Sequence, residues 1–208
     1  MESIKKSLEN WLNELSNFSF KSYENLPDIE LYMDQVVTFL EKQLYIFQTS
    51  TLDKQITSSM INNYVKGEVL PAPKNKKYSK EHLALIEEIC TLKQVLSIAD
   101  VKQILDKCYK DNEKKDKVFN HFNEINYNKT TSIVEETFKN LNDVDDNDSN
   151  ALTNIALEFA ITANTYINIA KRILFLARAY EKIENTKNEK KKEKLIEEAQ
   201  IEENKDEE

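Results

Sequence analysis

Side chains able to serve as nucleophile, general base or metal ligand are few in this sequence, and they are scattered. The two histidines, His82 and His121, lie in different segments, and the two cysteines, Cys90 and Cys108, have no further Cys or His at ligand spacing. Both cysteines fall inside helical patterns and read as reduced core thiols. A single glycine leaves no phosphate-cradling loop and no Gly-x-Ser-x-Gly elbow. Carboxylates are abundant, but they fall on charged helical faces, where solvation is the default. Asp143, Asp145 and Asn147 alternate as in a calcium loop, yet Asp148 stands where glycine is needed and Asn154 where a bidentate Glu is needed. That loop is expected to be solvated and to feed carboxylates to a helix N-terminus. The chain therefore reads as a non-enzyme without metal or cofactor.

The residue types that do cluster are those of recognition. Ser58, Ser59, Asn62, Asn63 and Lys66 take the outward positions of a short helix whose Met60, Ile61, Tyr64 and Val65 form an apolar side. Thr57 or Ser58 caps it and Gly67 ends it. Pro71-Ala72-Pro73 cannot continue a helix, so Lys74, Asn75, Lys76 and Lys77 ride on an extended loop that closes at Tyr78, and Ser79 opens the next helix. A short helix bearing amides and hydroxyls, followed by a basic loop, is the layout of a winged helix-turn-helix that reads double-stranded DNA. An Asn amide matches the edge of adenine, and lysines neutralise phosphates. The expected DNA contacts are Ser58, Ser59, Asn62, Asn63, Lys66, Lys74, Lys76, Lys77 and Tyr78. The net charge of −8 conceals this patch: between Ile61 and Lys80 five lysines face Glu68 alone, a local +4, while from Glu181 onward seven lysines face eleven acids.

The order Ile61, Tyr64, Leu70, Pro71, the basic pair before Tyr78-Ser79, then Leu83, Ile89, Ser97 and Ile104 resembles the winged helix-turn-helix of the MerR family of bacterial transcription regulators. More closely, Asn62-Asn63-Tyr64-Val65-Lys66, Leu70-Pro71-Ala72-Pro73 and Lys76-Lys77-Tyr78-Ser79 resemble a bacterial family catalogued as domain of unknown function 1836, itself considered MerR-like. The resemblance covers roughly residues 26 to 110. The MerR pattern has an arginine where this chain has Asn62, and a glycine where it has Glu68. Membership implies a bacterial, cytoplasmic DNA-binding transcription regulator that dimerises through a C-terminal helix; a small-molecule effector is left open.

These residues need a scaffold, and one Gly with three Pro in 208 residues favours long helices over hairpins. An apolar content of 40% supplies a core, no apolar run approaches a membrane span, and the N-terminus lacks a signal peptide's apolar stretch. The expected fold is all-α, a MerR-like winged helix-turn-helix followed by a helical bundle with a long C-terminal helix. Residues 1–25 hold an amphipathic helix, with Ile4, Leu8, Trp11, Leu12, Leu15 and Phe18 at helical spacing, that caps either this fold or a second copy. Residues 26–110 form the DNA-binding domain. Its first helix is expected over Ile29 to Phe47, and the connector from Gln48 to Ile56 is polar. Lone His82 reads as a surface residue or a phosphate contact.

A boundary is placed in the charged stretch 110 to 117. Residues 111–183 form a bundle or dimerisation region in which a capping box at Ser132 and Glu135 separates two short helices. Ala156, Ala163, Ala170 and Ala177 recur every seven residues, and Phe159, Tyr166, Ile173 and Tyr180 follow each by three, an a/d seam suited to close pairing in a homodimer. Residues 184–208 form a charged tail, frayed or disordered. The alternative reading is a helical interaction or adaptor module that does not bind DNA.

Overall fold

The computed structural model of the chain describes residues 2–47, 56–110 and 115–203. The connector from Gln48 and the boundary stretch after Lys110 lie largely outside the described residues, as do the last five. The chain divides into two compact units, residues 1–163 and 164–208. The first holds helices α1 (Ile4–Asn17), α2 (Met33–Gln43), α3 (Ser58–Lys66), α4 (Lys80–Lys93), α5 (Ile98–Cys108) and α6 (Lys115–Leu141), and the first turns of α7 (Ser149–Glu203); the second holds the rest of α7. Strands β1 (Leu31–Tyr32) and β2 (Lys77–Tyr78) pair antiparallel, Leu31 opposite Tyr78 and Tyr32 opposite Lys77. The fold is thus mostly helical, as its glycine-poor composition requires. Among the described residues no helix is long and apolar enough to cross a membrane.

The β1–β2 pairing corrects the expected start of the second helix. The chain bends at Asp28 and Ile29 and runs extended through Leu31 and Tyr32, whose N–H donates to Gln35 Oε1 at 2.9 Å, and α2 begins at Met33 rather than Ile29. Ile29, assigned to the helical apolar face, is 70% exposed. Val36 and Leu40 of α2, Ile61 and Tyr64 of α3, Leu83, Ile86 and Ile89 of α4, and Val101 and Leu105 of α5 are all buried. Helix α4 is the centre of this unit, because its buried positions run all the way round it rather than along one stripe.

Helix α1 closes on its own chain. Leu12 forms a cluster with Val134 and Leu141, packed by Leu8, Leu15, Phe138, Leu152 and Ile155. The Lys5 ammonium donates to the Val144 carbonyl at 2.8 Å and the Trp11 indole to the Ile46 carbonyl at 3.4 Å. Helix α6 runs unbroken, so the capping box read at Ser132 and Glu135 does not exist. Nothing there can break a helix, and buried Val134 and Thr137 carry its inward face straight through. Its N-terminal half packs Phe119 on Leu26 and Ala84, while Asn120 accepts from the Tyr23 N–H at 2.8 Å.

The acidic loop does what the helix dipole favours. Asp148 Oδ1 accepts from the amides of Asn150 and Ala151, both at 3.0 Å, and caps α7. Beyond Ile183, where the apolar pattern lapses, the helix continues to Glu203, as a run of Lys and Glu, strong helix formers, allows.

Candidate nucleic-acid interface

Helix α3 is set by its two ends. Thr57 Oγ1 accepts from the Met60 N–H at 3.2 Å, so Thr57 is the cap. Ile61 and Tyr64 are buried, and that registration leaves Ser58, Ser59, Asn62, Asn63 and Lys66 exposed together. At the other end the Val69 N–H reaches the Tyr64 carbonyl at 3.1 Å and the Glu68 N–H the Val65 carbonyl at 3.0 Å, the paired bonds of a Schellman motif. The left-handed residue this motif demands is Glu68, at φ 53°, while Gly67 has an ordinary φ of −79°. Gly67 therefore closes the helix without using its conformational freedom. The Glu68 carbonyl accepts from the Lys102 ammonium at 2.5 Å, which pins the turn to α5.

The basic loop ends in a two-residue turn. The Lys77 N–H donates to the Lys74 carbonyl at 2.9 Å, and Asn75 and Lys76 between them have φ of 50° and 62°, both left-handed as a twisted hairpin requires. The turn exposes Lys74, Asn75 and Lys76. Lys77 is half-buried, its ammonium 5.6 Å over the Tyr32 ring. Lys80, counted in the basic patch, is engaged by the Asp28 carboxylate and by the Glu24 carbonyl at 3.2 Å.

Two expected surface residues are structural instead. Tyr78 is 3% exposed, its ring edge-on to His82, so it is removed from the candidate DNA contacts. His82 is half-buried at the first turn of α4, where Nδ1 accepts from the Ser79 N–H at 3.1 Å; it is neither a free surface residue nor a phosphate ligand. Burial holds its pKa below the ordinary value, against the pull of Glu81 and of the Pro71 and Ala72 carbonyls. With Nδ1 accepting from the Ser79 N–H, the neutral form of the ring carries its proton on Nε2.

Sequence reasoning missed a pair of carboxyls inside the core. Glu87 and Glu88 of α4 are 0% and 1% exposed, not on a solvated face. The signal was available: Leu83-Ala84-Leu85-Ile86 before them and Ile89-Cys90 after them leave no polar side to the helix. The Tyr109 hydroxyl donates to Glu88 Oε2 at 2.9 Å, whereas neither oxygen of Glu87 has a hydrogen-bond partner among the described residues. Burial first, then the neighbouring Glu88, push the Glu87 carboxyl up to about 8, opposed by Lys21. Burial raises Glu88 to about 7, with the Tyr109 hydrogen bond opposing. Cys90 is a buried thiol, raised by burial to about 12, whereas Cys108 is exposed and not the core thiol its helical spacing suggested.

On α7, in the first unit, Ala156 and Ala163 are exposed and Phe159 is half-buried. In the second, Tyr166, Ile173 and Tyr180 are 70%, 60% and 67% exposed, Ala177 is exposed and Ala170 half-buried. Ile169, Leu176 and Ile183 are 52%, 49% and 56% exposed. With Tyr166, Ile173 and Tyr180 they make a stripe of alternating three- and four-residue steps, one position away from the alanine seam.

A family model described as "Domain of unknown function (DUF1836)" matches residues 21–130, just over half of the 208 residues. No curated protein and no solved structure matches the chain.

Proposed function

We propose, from the premise that the chain belongs to the family described as domain of unknown function (DUF1836), that it is a DNA-binding transcriptional regulator that works as a homodimer. The observation that carries this reading is the pairing of two exposed features on one scaffold. Helix α3 presents Asn62, Asn63 and Lys66, and the hairpin turn presents Lys74, Asn75 and Lys76. The turn leads into β2, which pairs with β1 at the start of α2. The succession β1, α2, α3, β2, α4, α5 is compatible with a MerR-like winged helix-turn-helix, in which α3 enters the major groove and the turn lies along the phosphates. The absence of arginine from α3 directs readout toward adenine through the asparagines rather than guanine.

The test is selection of bound genomic fragments by the purified protein, followed by titration on the selected duplex and on a scrambled one. Asn62→Ala or Asn63→Ala is expected to cost about 1–3 kcal/mol on the selected site and to leave scrambled binding nearly unchanged. Lys76→Ala with Lys77→Ala is expected to weaken both duplexes alike and to lower the salt slope by ~1–2. A wild type that selects no sequence, or asparagine variants that keep full discrimination, would reject DNA reading.

The second reading is a helical interaction module without DNA binding. The exposed apolar stripe of α7 favours it, because such surface marks a protein contact whatever the other end of the chain does.

A further inference from the structure

Behind the turn that ends α3 lies a cavity of about 500 Å³ within the first unit, inside the size range of small-molecule sites. Its floor is apolar, formed by Val65 and Val69 on one side and by Leu85 of α4 and Leu105 of α5 on the other. Two aromatic rings, Tyr23 and Tyr109, stand in its wall. The Tyr109 ring is held in place because its hydroxyl is committed to buried Glu88 at 2.9 Å.

The mouth is acidic. The charged side chains lining the cavity are Glu68, Glu81 and Asp106, against Lys115. Lys115 is bound to Glu81 at 2.6 Å, and Lys102 reaches Asp106 at 4.0 Å. Among the described ion pairs none involves the Glu68 carboxylate, so with Lys115 on Glu81 and Lys102 between Asp106 and the Glu68 carbonyl the mouth keeps one carboxylate charge to offer. The field is felt at Tyr23: after burial, Glu81, Asp116 and Asp28 raise its phenol above the ordinary value. Apolar walls would take the body of any small ligand, and the Tyr23 face already carries the Lys80 ammonium at 5.5 Å, so it is the carboxylate rim that discriminates by sign, attracting a cation and repelling an anion.

We infer that this cavity is a binding site for a small organic monocation, an ammonium joined to an aromatic or aliphatic body, with the body among Val69, Leu85 and Leu105 and the charge at Glu68. The inference is independent of DNA reading, since neither ligand nor readout involves nucleic acid.

The experiment is calorimetric titration of the full chain with three probes of one shape: phenethylammonium, phenethyl alcohol and phenylacetate. The ammonium should bind about tenfold more tightly than the alcohol, and the carboxylate should be weakest. Glu68→Gln should lower ammonium affinity several-fold and leave the alcohol unaffected. Ala72→Trp, an exposed rim position that spares the core, should abolish binding of both. The inference is overturned if no probe binds, if phenylacetate equals the ammonium, or if Ala72→Trp, folded as judged by its circular dichroism, binds as wild type does.

Discussion

Glu87 sits in the middle of α4 with Glu88 beside it and Lys21 as the one cation that lowers its pKa. A buried carboxylate without hydrogen bonds is costly, and protonation removes most of the cost. The sign of the consequence follows. With pKa values of about 8 and about 7 against an ordinary 4.5, the folded chain holds protons that the unfolded chain has released. The stability carried by the pair is therefore complete below about pH 4.5 and is lost as pH rises through about 7 to 8, at ~1.4 kcal/mol for each pKa unit. His82 works in the opposite sense, because its depressed pKa costs stability only as pH falls below its ordinary 6.5. Above that value the carboxyl pair acts alone. Thermal melts should show Tm falling from about pH 6.5 to about pH 8.5, and Glu87→Gln, which keeps the shape without the charge, should flatten the fall and melt higher at the alkaline end. A wild-type Tm that is level across this window would show that Glu87 ionises without penalty.

At the scale of the element, the end of α3 shows how local chemistry fixes where recognition residues stand. The Schellman bonds at Tyr64 and Val65 require a left-handed residue at position 68, and glutamate fills it at φ 53°. A non-glycine residue there costs about 1 kcal/mol. Glu68→Gly is expected to stabilise the protein by ~1 kcal/mol, seen as a Tm rise of about 2–4 °C. A lower Tm for Glu68→Gly would mean that the glutamate side chain contributes more than its backbone costs. This turn also marks the limit of what could be read from residues alone. The apolar spacing of α1 and α3 and the caps at Thr57 and Ser79 were legible, because each cap is a local bond made within three residues. The strand at Leu31–Tyr32 was not, since it exists only through pairing with Lys77–Tyr78, more than forty residues away. The break read inside α6 arose from a Ser/Glu pair that caps a helix only where a helix starts. Tyr78, which closes the basic loop, and His82, which stands at a helix start, read as surface residues, whereas packing against each other buries Tyr78 and half-buries His82.

At the scale of the whole molecule, the last helix of the single chain carries a row of exposed large apolar side chains, the kind of surface that marks a protein contact. Within the second unit Tyr166, Ile169, Ile173, Leu176, Tyr180 and Ile183 are all about half exposed or more. Fully burying one such side chain is worth roughly 1.5–3 kcal/mol, and association costs on the order of 4–15 kcal/mol, so the proposed homodimer would have to rest on this whole stripe meeting its copy. Heptad spacing makes the partner's stripe its natural complement. The alanine seam and the large-residue stripe share Tyr166, Ile173 and Tyr180 and part company at the next position, Ala170 or Ile169. Ile173→Glu should therefore abolish the dimer in either arrangement, placing an unpaired charge in its centre, while the helix itself survives because Ile173 is 60% exposed in the single chain. Sedimentation of Ala170→Glu and Ile169→Glu then decides between the two. If the alanines form the close seam, Ala170→Glu dissociates the dimer and Ile169→Glu weakens it less; if the large residues interdigitate, the order reverses. A wild-type chain that sediments as a monomer at tens of micromolar would end the homodimer proposal and leave the stripe to a different protein partner, which is the prediction of the interaction-module reading.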